Sequence, residues 1–173
     1  MKGIDRQEET GEEIEIFTPA QMSRLFSHAS PDLLPVLSIG GLGGLRTAEV
    51  LRLDWSEIHL SERFIEVKNG KSKTRSRPTV PITDNLSAWL SPYAAKHGVV
   101  WPHSVPFAFE AMATTGGSAS VEWRHNALRH SFISYRFAEI KNENQVALEA
   151  ANSPNMVHGN YKGSPAARAA RRA

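Results

Sequence analysis

The stretch Gly44-Leu45-Arg46-Thr47-Ala48-Glu49-Val50 lies between two apolar helical patterns, and it decides how the chain is interpreted. Before it, residues Leu33 to Ile39 predict a buried helix, and the glycine-rich segment 40–44 should end that helix or allow close backbone approach. After it, Thr47 to Leu53 predicts a new helix. The stretch therefore places Arg46 at a glycine-rich corner between two helices.

A second stretch carries another arginine, in His125-Asn126-Ala127-Leu128-Arg129-His130-Ser131-Phe132. Asn126 is of a type that caps helices, and the apolar residues that follow recur at helical spacing through Ile140. The sequence predicts a long helix here, with Arg129 in its first turns.

The other elements are mostly helical. Thr18-Pro19-Ala20-Gln21 predicts a helix start with a capping box, and the apolar spacing after Thr83 predicts another helix. Further helices are expected at Phe107 to Met112, ended by Thr114-Thr115-Gly116-Gly117, at Asn144 to Ala151 and at Pro154 to Tyr161. The only convincing strands are Phe64 to Val67 and Thr79 to Ile82. The fold class is mainly α with a small antiparallel β-hairpin.

The composition excludes several classes of protein. The chain has 173 residues, about the size of one ordinary domain, and it has no cysteine, which excludes disulfides, thiolate metal sites and cysteine nucleophiles. No apolar run approaches the roughly 20 residues that span a bilayer, and the N-terminal residues do not resemble a secretion signal. We therefore expect one cytoplasmic domain with no membrane partner.

Charge is segregated along the chain, although the formal net charge is only +2. Residues 1–16 form a polar, acidic lead-in that we expect to be mobile, and residues 17–173 form the domain. No carboxylate side chain follows Glu149, and the connection of the hairpin is basic through Lys68, Lys71, Lys73, Arg75 and Arg77. A basic loop and a basic tail predict a polyanion as the partner.

Taken together, the two arginine stretches, the hairpin between them, and Asn152 followed nine residues later by Tyr161 resemble the tyrosine recombinase family of phage integrases. In that family, a Gly-Leu-Arg-x-x-Glu box and a His-x-x-Arg box supply two arginines, a hairpin supplies a lysine, and a tyrosine is the nucleophile. The resemblance spans about Thr18 to Tyr161. It implies the integrase catalytic-core fold of DNA breaking-rejoining enzymes.

The resemblance implies site-specific DNA recombination or integration. Tyr161 would attack a DNA phosphate, leaving a 3′-phosphotyrosyl bond and a free 5′ hydroxyl. Arg46 and Arg129 would bind the non-bridging phosphate oxygens through bidentate, charge-assisted hydrogen bonds, and Glu49 would orient an arginine. The resemblance implies covalent catalysis with no metal or other cofactor. Because the phosphotyrosine conserves the bond energy, the strand is rejoined without ATP.

In such enzymes a lysine of the hairpin protonates the departing 5′ oxygen. Lys73, eight residues before Pro81, is our first choice, and Lys71 is the alternative. The remaining basic residues of the connection fit a solvated loop that touches DNA phosphates: Lys68, Arg75 and Arg77.

Two asparagines depart from the family pattern. Asn126 stands three residues before Arg129, where histidine is usual, and Asn152 stands where a Gly-His-Ser box is usual. Asparagine donates hydrogen bonds but cannot shuttle protons near neutral pH, so a general-base role at either position is weakened. The neighbouring His125 is a candidate substitute.

These departures leave an alternative function open, which is a catalytically impaired DNA-binding remnant of an integrase. A type IB topoisomerase uses similar residues, but the Leu-Arg-His-Ser-Phe box and the chain length favour an integrase. A helical protein-interaction domain is a third hypothesis, and it predicts binding that does not weaken with salt. No metal site is expected, because His125, His130 and His158 share no ligand spacing.

The resemblance also carries expectations about assembly. Family members have an N-terminal helical domain that clamps the DNA, and nothing before Phe17 is able to form one, so we expect that domain to be missing. They act as tetramers on two duplexes, often by exchanging a C-terminal helix, whereas Ala166 to Ala173 has almost no apolar face. We expect a monomer in isolation, a tetramer on DNA, and a prokaryotic or phage-encoded protein.

Overall fold

The structure is a computed structural model that describes residues 14–68 and 79–150 together with Val157, Tyr161 and Arg168. Some predicted features lie outside these residues. They include the mobility of residues 1–13, most of the segment 166–173, and the site candidates Lys71, Lys73, Arg75, Arg77 and Asn152.

Helices dominate the part of the chain that the structure describes. They are α1 (Pro19–His28), α2 (Leu33–Gly43), α3 (Thr47–Val50), α4 (Asp84–Leu90), α5 (Val105–Ser118), α6 (Ala127–Ile140) and α7 (Glu143–Glu149). The strands are β1 (Ile58–His59), β2 (Phe64–Glu66) and β3 (Thr79–Pro81). No helix in the described ranges has the length and apolar character needed to cross a membrane. The mainly helical class with a small antiparallel sheet is confirmed.

The start of α1 follows the predicted capping box. The Thr18 hydroxyl accepts a hydrogen bond from the Gln21 backbone N–H at 3.2 Å, and the Gln21 side chain accepts one from the Thr18 N–H at 2.8 Å. Two N–H groups that the helix itself cannot satisfy are thereby paired. The local sequence fixes this end of the helix.

The predicted hairpin is present, and it has a third strand that the sequence did not reveal. β2 pairs antiparallel with β3, with Ile65 opposite Val80, and β1 pairs with the other edge of β2, with Ile58 opposite Ile65. β1 has only two residues, which is too short for a detectable alternation of apolar and polar residues. Tertiary pairing, rather than local pattern, defines it.

α5 is longer than predicted. The sequence pattern indicated a helix end at Thr114 to Gly117, but the helix continues to Ser118. Gly116 is buried, and a Cβ at that position would lie 2.7 Å from the Val121 carbonyl oxygen. The glycine therefore permits close backbone approach instead of ending the helix.

α2 runs through most of the glycine-rich segment and ends at Gly44, which has the left-handed backbone conformation with φ of 73°. This conformation favours glycine, since a Cβ would be strained there. The chain then turns directly into α3, with Arg46 at the N-cap position. The turn at Gly44 therefore determines the position of the Arg46 backbone at the start of α3.

Two apolar clusters build the interior of the described residues. The main core includes Leu25, Leu37, Ile65 and Leu128, and a smaller cluster combines Phe132, Ile133, Phe137, Val146, Ala147, Ala150, Val157 and Tyr161. α6 contributes to both, since Ala127 and Leu128 pack into the main core while residues from Phe132 onward pack into the smaller one. The helix that carries Arg129 therefore lies at the boundary between the two clusters.

Candidate functional site

Arg46 is presented at the surface by Glu49. The Arg46 backbone N–H donates to Glu49 Oε2 at 2.7 Å, and Arg46 Nη1 donates to Glu49 Oε1 at 3.1 Å. The Arg46 side chain is 48% exposed, whereas that of Glu49 is 16% exposed. The carboxylate accordingly orients the guanidinium while leaving it accessible to an anion.

Arg129 is buried, with 6% of its surface exposed, and it reaches back to the corner before Arg46. Its Nη1 donates to the Gly44 carbonyl oxygen at 2.6 Å. Its Nη2 is buried and has no hydrogen-bond partner among the described residues. Buried donors are rarely left unpaired in folded proteins. Nη2 of Arg129 is therefore available to bind an acceptor from outside the described residues.

The two arginines act on each other electrostatically. Burial lowers the pKa of Arg129, the positive charge of Arg46 lowers it further, and Glu49 and Tyr161 oppose both effects. The ordinary value of 12.5 is so high that Arg129 remains a cation near neutral pH. The fold has therefore concentrated two positive charges near one carboxylate and one phenol, which is a suitable environment for a phosphate.

Tyr161 is the buried phenol of this site. It is 2% exposed and packs in the smaller cluster, and its Oη lies 2.5 Å from Nδ1 of His130. Burial raises the pKa of Tyr161 to about 12, although the charge of Arg129 opposes the shift. The hydroxyl consequently keeps its proton near neutral pH, and its oxygen is a weak nucleophile unless a base takes that proton.

His130 is a site residue that the sequence pattern does not predict. One signal was present: His130 follows Arg129 directly, in the first turn of α6. The geometry brings together Arg46, Glu49, Arg129, His130 and Tyr161.

Asn126 occupies the N-cap position of α6, but its side chain does not cap the helix. Its backbone is left-handed, with φ of 56°, and the side chain makes no capping hydrogen bond. The predicted capping role of the Asn126 side chain is therefore wrong. The backbone conformation explains the asparagine instead, since asparagine adopts positive φ more readily than most residues. His125 is exposed, and its charge contributes to lowering the pKa of His130.

This backbone explanation predicts a specific stability pattern at position 126. We expect Asn126→Ala to lower the free energy of unfolding by about 1 kcal/mol, because a Cβ without a local hydrogen-bonding group is strained at positive φ. Asn126→Gly should be close to neutral. Urea unfolding followed by circular dichroism measures both variants. Equal destabilisation by alanine and glycine would show that the side chain, rather than the backbone, determines the residue at this position.

The basic hairpin connection is described only at its first residue. Lys68 Nζ lies 3.5 Å from Oε1 of Glu57, a carboxylate whose other oxygen accepts a hydrogen bond from the Asp54 N–H at 2.7 Å. The Glu57 side chain is only 5% exposed, so Lys68 also neutralises a buried charge. Its contact with DNA stays a prediction. Within the described residues no three or more histidine, aspartate or glutamate side chains converge as a metal site would require.

Comparison with known proteins gives a family and several similar folds. The sequence profile of the phage integrase family matches residues 15–147. The fold is similar to XerA recombinase, with a TM-score of 0.73 and 16% identity over 90% of this chain. It is also similar to the catalytic domain of bacteriophage HP1 integrase, with a TM-score of 0.70, 23% identity and 88% of this chain covered. The comparison with curated proteins found no match.

A third similar structure is XerH site-specific recombinase bound to a palindromic difH substrate, with a TM-score of 0.72 and 13% identity over 92% of this chain. The chain spans 63% of the XerA chain, 90% of the HP1 integrase domain and 53% of the XerH chain. At these identities the likenesses establish the fold. The arrangement of the site residues rests on the distances and burial within this chain.

Proposed function

Since the chain belongs to the phage integrase family, we propose that it carries out site-specific DNA recombination by cleaving and rejoining strands through a covalent bond between Tyr161 and a DNA 3′ phosphate. Tyr161 Oη attacks phosphorus, the bond to the 5′ oxygen breaks, and the 5′ hydroxyl is released. Rejoining reverses these steps with the 5′ hydroxyl of another strand as nucleophile.

The buried Nη2 of Arg129 is the observation that carries this proposal. This donor has no partner among the described residues, and it belongs to a cation that lies within electrostatic range of Arg46 and Tyr161. A phosphate oxygen would satisfy Nη2, and a second oxygen would be within reach of a guanidinium such as Arg46. Negative charge that develops on the non-bridging oxygens during attack is then stabilised by donors already in place.

The other predicted residues take supporting roles in this proposal. Glu49 orients Arg46, and Asn126 and His125 lie beside Arg129 at the start of α6. On the hairpin connection, Lys73 or Lys71 protonates the 5′ oxygen, while Lys68, Arg75 and Arg77 contact the DNA backbone. Asn152 is assigned a hydrogen bond to phosphate. Because the likeness to DNA-bound XerH concerns fold alone, these roles stay predictions until DNA cleavage is measured.

A covalent trapping experiment tests the proposal even when the recombination site has not been identified. The full chain is incubated with a pool of nicked duplexes that carry a randomised core, so that the fragment bearing the 5′ hydroxyl diffuses away after cleavage. Complexes that survive denaturation are isolated, the DNA is sequenced, and the linked peptide is identified by mass spectrometry. We expect one enriched sequence attached to Tyr161. DNA that is bound but never attached would overturn strand exchange and favour the impaired remnant.

Arg129→Lys should reduce the attachment rate by about 10²- to 10³-fold, because lysine keeps the charge but lacks the planar guanidinium, which can donate to the Gly44 carbonyl from one nitrogen and to a phosphate from another. The rate is measured on the enriched duplex under single-turnover conditions. Arg124→Lys is the matched control, since Arg124 is partly exposed and pairs with Glu15 and Glu122. A similar rate for both variants would show that the guanidinium geometry of Arg129 does not matter.

The assembly expected from the resemblance is part of the same proposal: double-stranded DNA as partner, a monomer in isolation and a tetramer on two duplexes. We also expect a separate DNA-clamping domain to be needed for strong site selection, and a cytoplasmic protein of prokaryotic or phage origin. Sedimentation of the chain with and without the enriched duplex measures the assembly directly.

A further inference from the structure

The contact between His130 and Tyr161 does more than pack two rings. Nδ1 of His130 lies 2.5 Å from Tyr161 Oη, and the ring centroids are 5.9 Å apart with 43° between the ring planes. The imidazole nitrogen therefore approaches the hydroxyl edge of the phenol at hydrogen-bond distance. This hydroxyl carries the oxygen that would attack the phosphate.

The charges around the pair favour the neutral form of His130. Burial lowers the pKa of His130, and the electrostatic interactions with Arg129 and His125 lower it further. His130 is thus neutral at physiological pH, and a neutral imidazole has one donor nitrogen and one acceptor nitrogen. Burial holds the proton on Tyr161. Of the two neutral tautomers, the one with the ring proton on Nε2 accepts the tyrosine O–H at Nδ1, and the inference requires this tautomer.

A proton acceptor is also what the rest of the site lacks. Asn126 stands where the resemblance expects a histidine, and an amide does not accept a proton near neutral pH. His130 follows four residues later, in the first turn of α6. It is already in contact with the nucleophile, whereas His125 is exposed at the start of the helix.

We propose that His130 is the general base that takes the Tyr161 proton during strand cleavage and returns it during rejoining. This inference rests on the proposed function. As the bond between Tyr161 Oη and phosphorus forms and the bond from phosphorus to the 5′ oxygen breaks, the phenolic proton moves to His130 Nδ1. The 5′ oxygen receives its proton from a separate acid, either a lysine ammonium of the hairpin connection or water. In the reverse step the phenolate oxygen leaves with the proton from His130.

His130→Gln tests the base, because glutamine retains a hydrogen-bonding side chain but cannot take the proton. We expect the attachment rate on the enriched duplex to fall by about 10²- to 10⁴-fold near neutral pH. His97→Gln is the matched control, since His97 is exposed and lies outside the site. A His130→Gln rate within about threefold of wild type, with wild-type cleavage intact, would reject the base and leave the proposed function standing.

The pH profile separates proton transfer from simple positioning. The base works only when neutral, so the wild-type rate should fall as pH drops through the lowered pKa of His130, below the ordinary 6.5, and should be flat above it. In His130→Gln the rate should be proportional to the fraction of Tyr161 that is ionised to phenolate. That fraction, and with it the rate, should rise about tenfold per pH unit across neutral pH. Parallel profiles for the two proteins would contradict proton transfer to His130.

A duplex with sulfur in place of the 5′ bridging oxygen distinguishes the base from the acid. A thiolate leaves without being protonated, so this substrate restores variants that lack the acid. It should not restore His130→Gln, whose defect is in the nucleophile. Recovery of this variant to the wild-type rate would show that His130 protonates the leaving group, and it would overturn the proposal.

A measurement without DNA tests the hydrogen bond itself. Nitrogen NMR of the full chain, labelled at histidine, should show His130 as a neutral ring protonated on Nε2 near neutral pH, and Tyr161→Phe should shift its Nδ1 resonance. A ring protonated on Nδ1 would be a donor to Tyr161 and unable to take its proton, which would reject the proposal whatever the cleavage assay gives.

Discussion

Replacing Tyr161 with phenylalanine is expected to abolish covalent attachment to DNA while leaving the fold and the affinity for DNA close to wild type. The ring of Tyr161 is 2% exposed and packs in the smaller apolar cluster, so phenylalanine preserves that packing. The change removes Oη, which lies at hydrogen-bond distance from His130. Loss of one such bond typically costs about 1 kcal/mol, which is small beside complete loss of the nucleophile.

Tyr135→Phe is the matched control for this prediction. Tyr135 lies on the same helix as Arg129, is partly buried, and donates from its hydroxyl to the Phe17 carbonyl oxygen at 3.2 Å. It therefore also loses one buried hydrogen bond, but not the attacking oxygen. Denaturing gels measure attachment, and gel shifts at several salt concentrations measure binding. Persistent attachment in Tyr161→Phe would show that another residue is the nucleophile.

Gly44→Ala is expected to be strongly destabilising, by about 2 to 5 kcal/mol of unfolding free energy. Two effects act in the same direction. Gly44 has φ of 73°, and a Cβ there would lie 2.3 Å from Cδ1 and 2.7 Å from Cε1 of Phe132. The ring belongs to a packed cluster on α6, so it cannot move aside without disturbing its neighbours. The shift would also displace the carbonyl that holds Arg129.

Gly117→Ala provides the contrast. Gly117 is exposed within α5, and a Cβ there would meet no atom within 4 Å. Alanine is favoured over glycine in helices, and Gly117 lies next to the last residue of α5, so this variant should be as stable as wild type or slightly more stable. Urea unfolding of both variants measures the difference. A Gly44→Ala protein as stable as wild type would show that the corner before Arg46 is not a tight turn.

The sequence predicted the features that local chemistry determines. The capping box at Thr18, the pairing of the strands around Ile65, and the helix through Arg129 depend on residue type and spacing over a few positions, and all three are present. The family was likewise predictable, because the boxes around Arg46 and Arg129 appear in order with a hairpin between them.

The features that the sequence did not predict depend on contacts between distant segments. Gly116 resembles a helix end until the carbonyl of Val121 is found against it. Asn126 resembles an ordinary cap, although its positive φ is the relevant property. The role of His130 depends on Tyr161, which lies 31 residues later in the chain. No local pattern encodes such a pairing, so only the folded arrangement reveals it.

The boundary position of α6 has a consequence for the lifetime of the assembled site. Arg129 and its acceptor at Gly44 are anchored beside the main core, whereas Tyr161 is anchored in the smaller cluster. Proteins open in separate cooperative units, and a unit with fewer buried contacts opens at lower free energy than the whole domain. The complete site therefore exists only while both clusters are folded. The fraction of time for which the site is complete is then governed by the weaker of the two units.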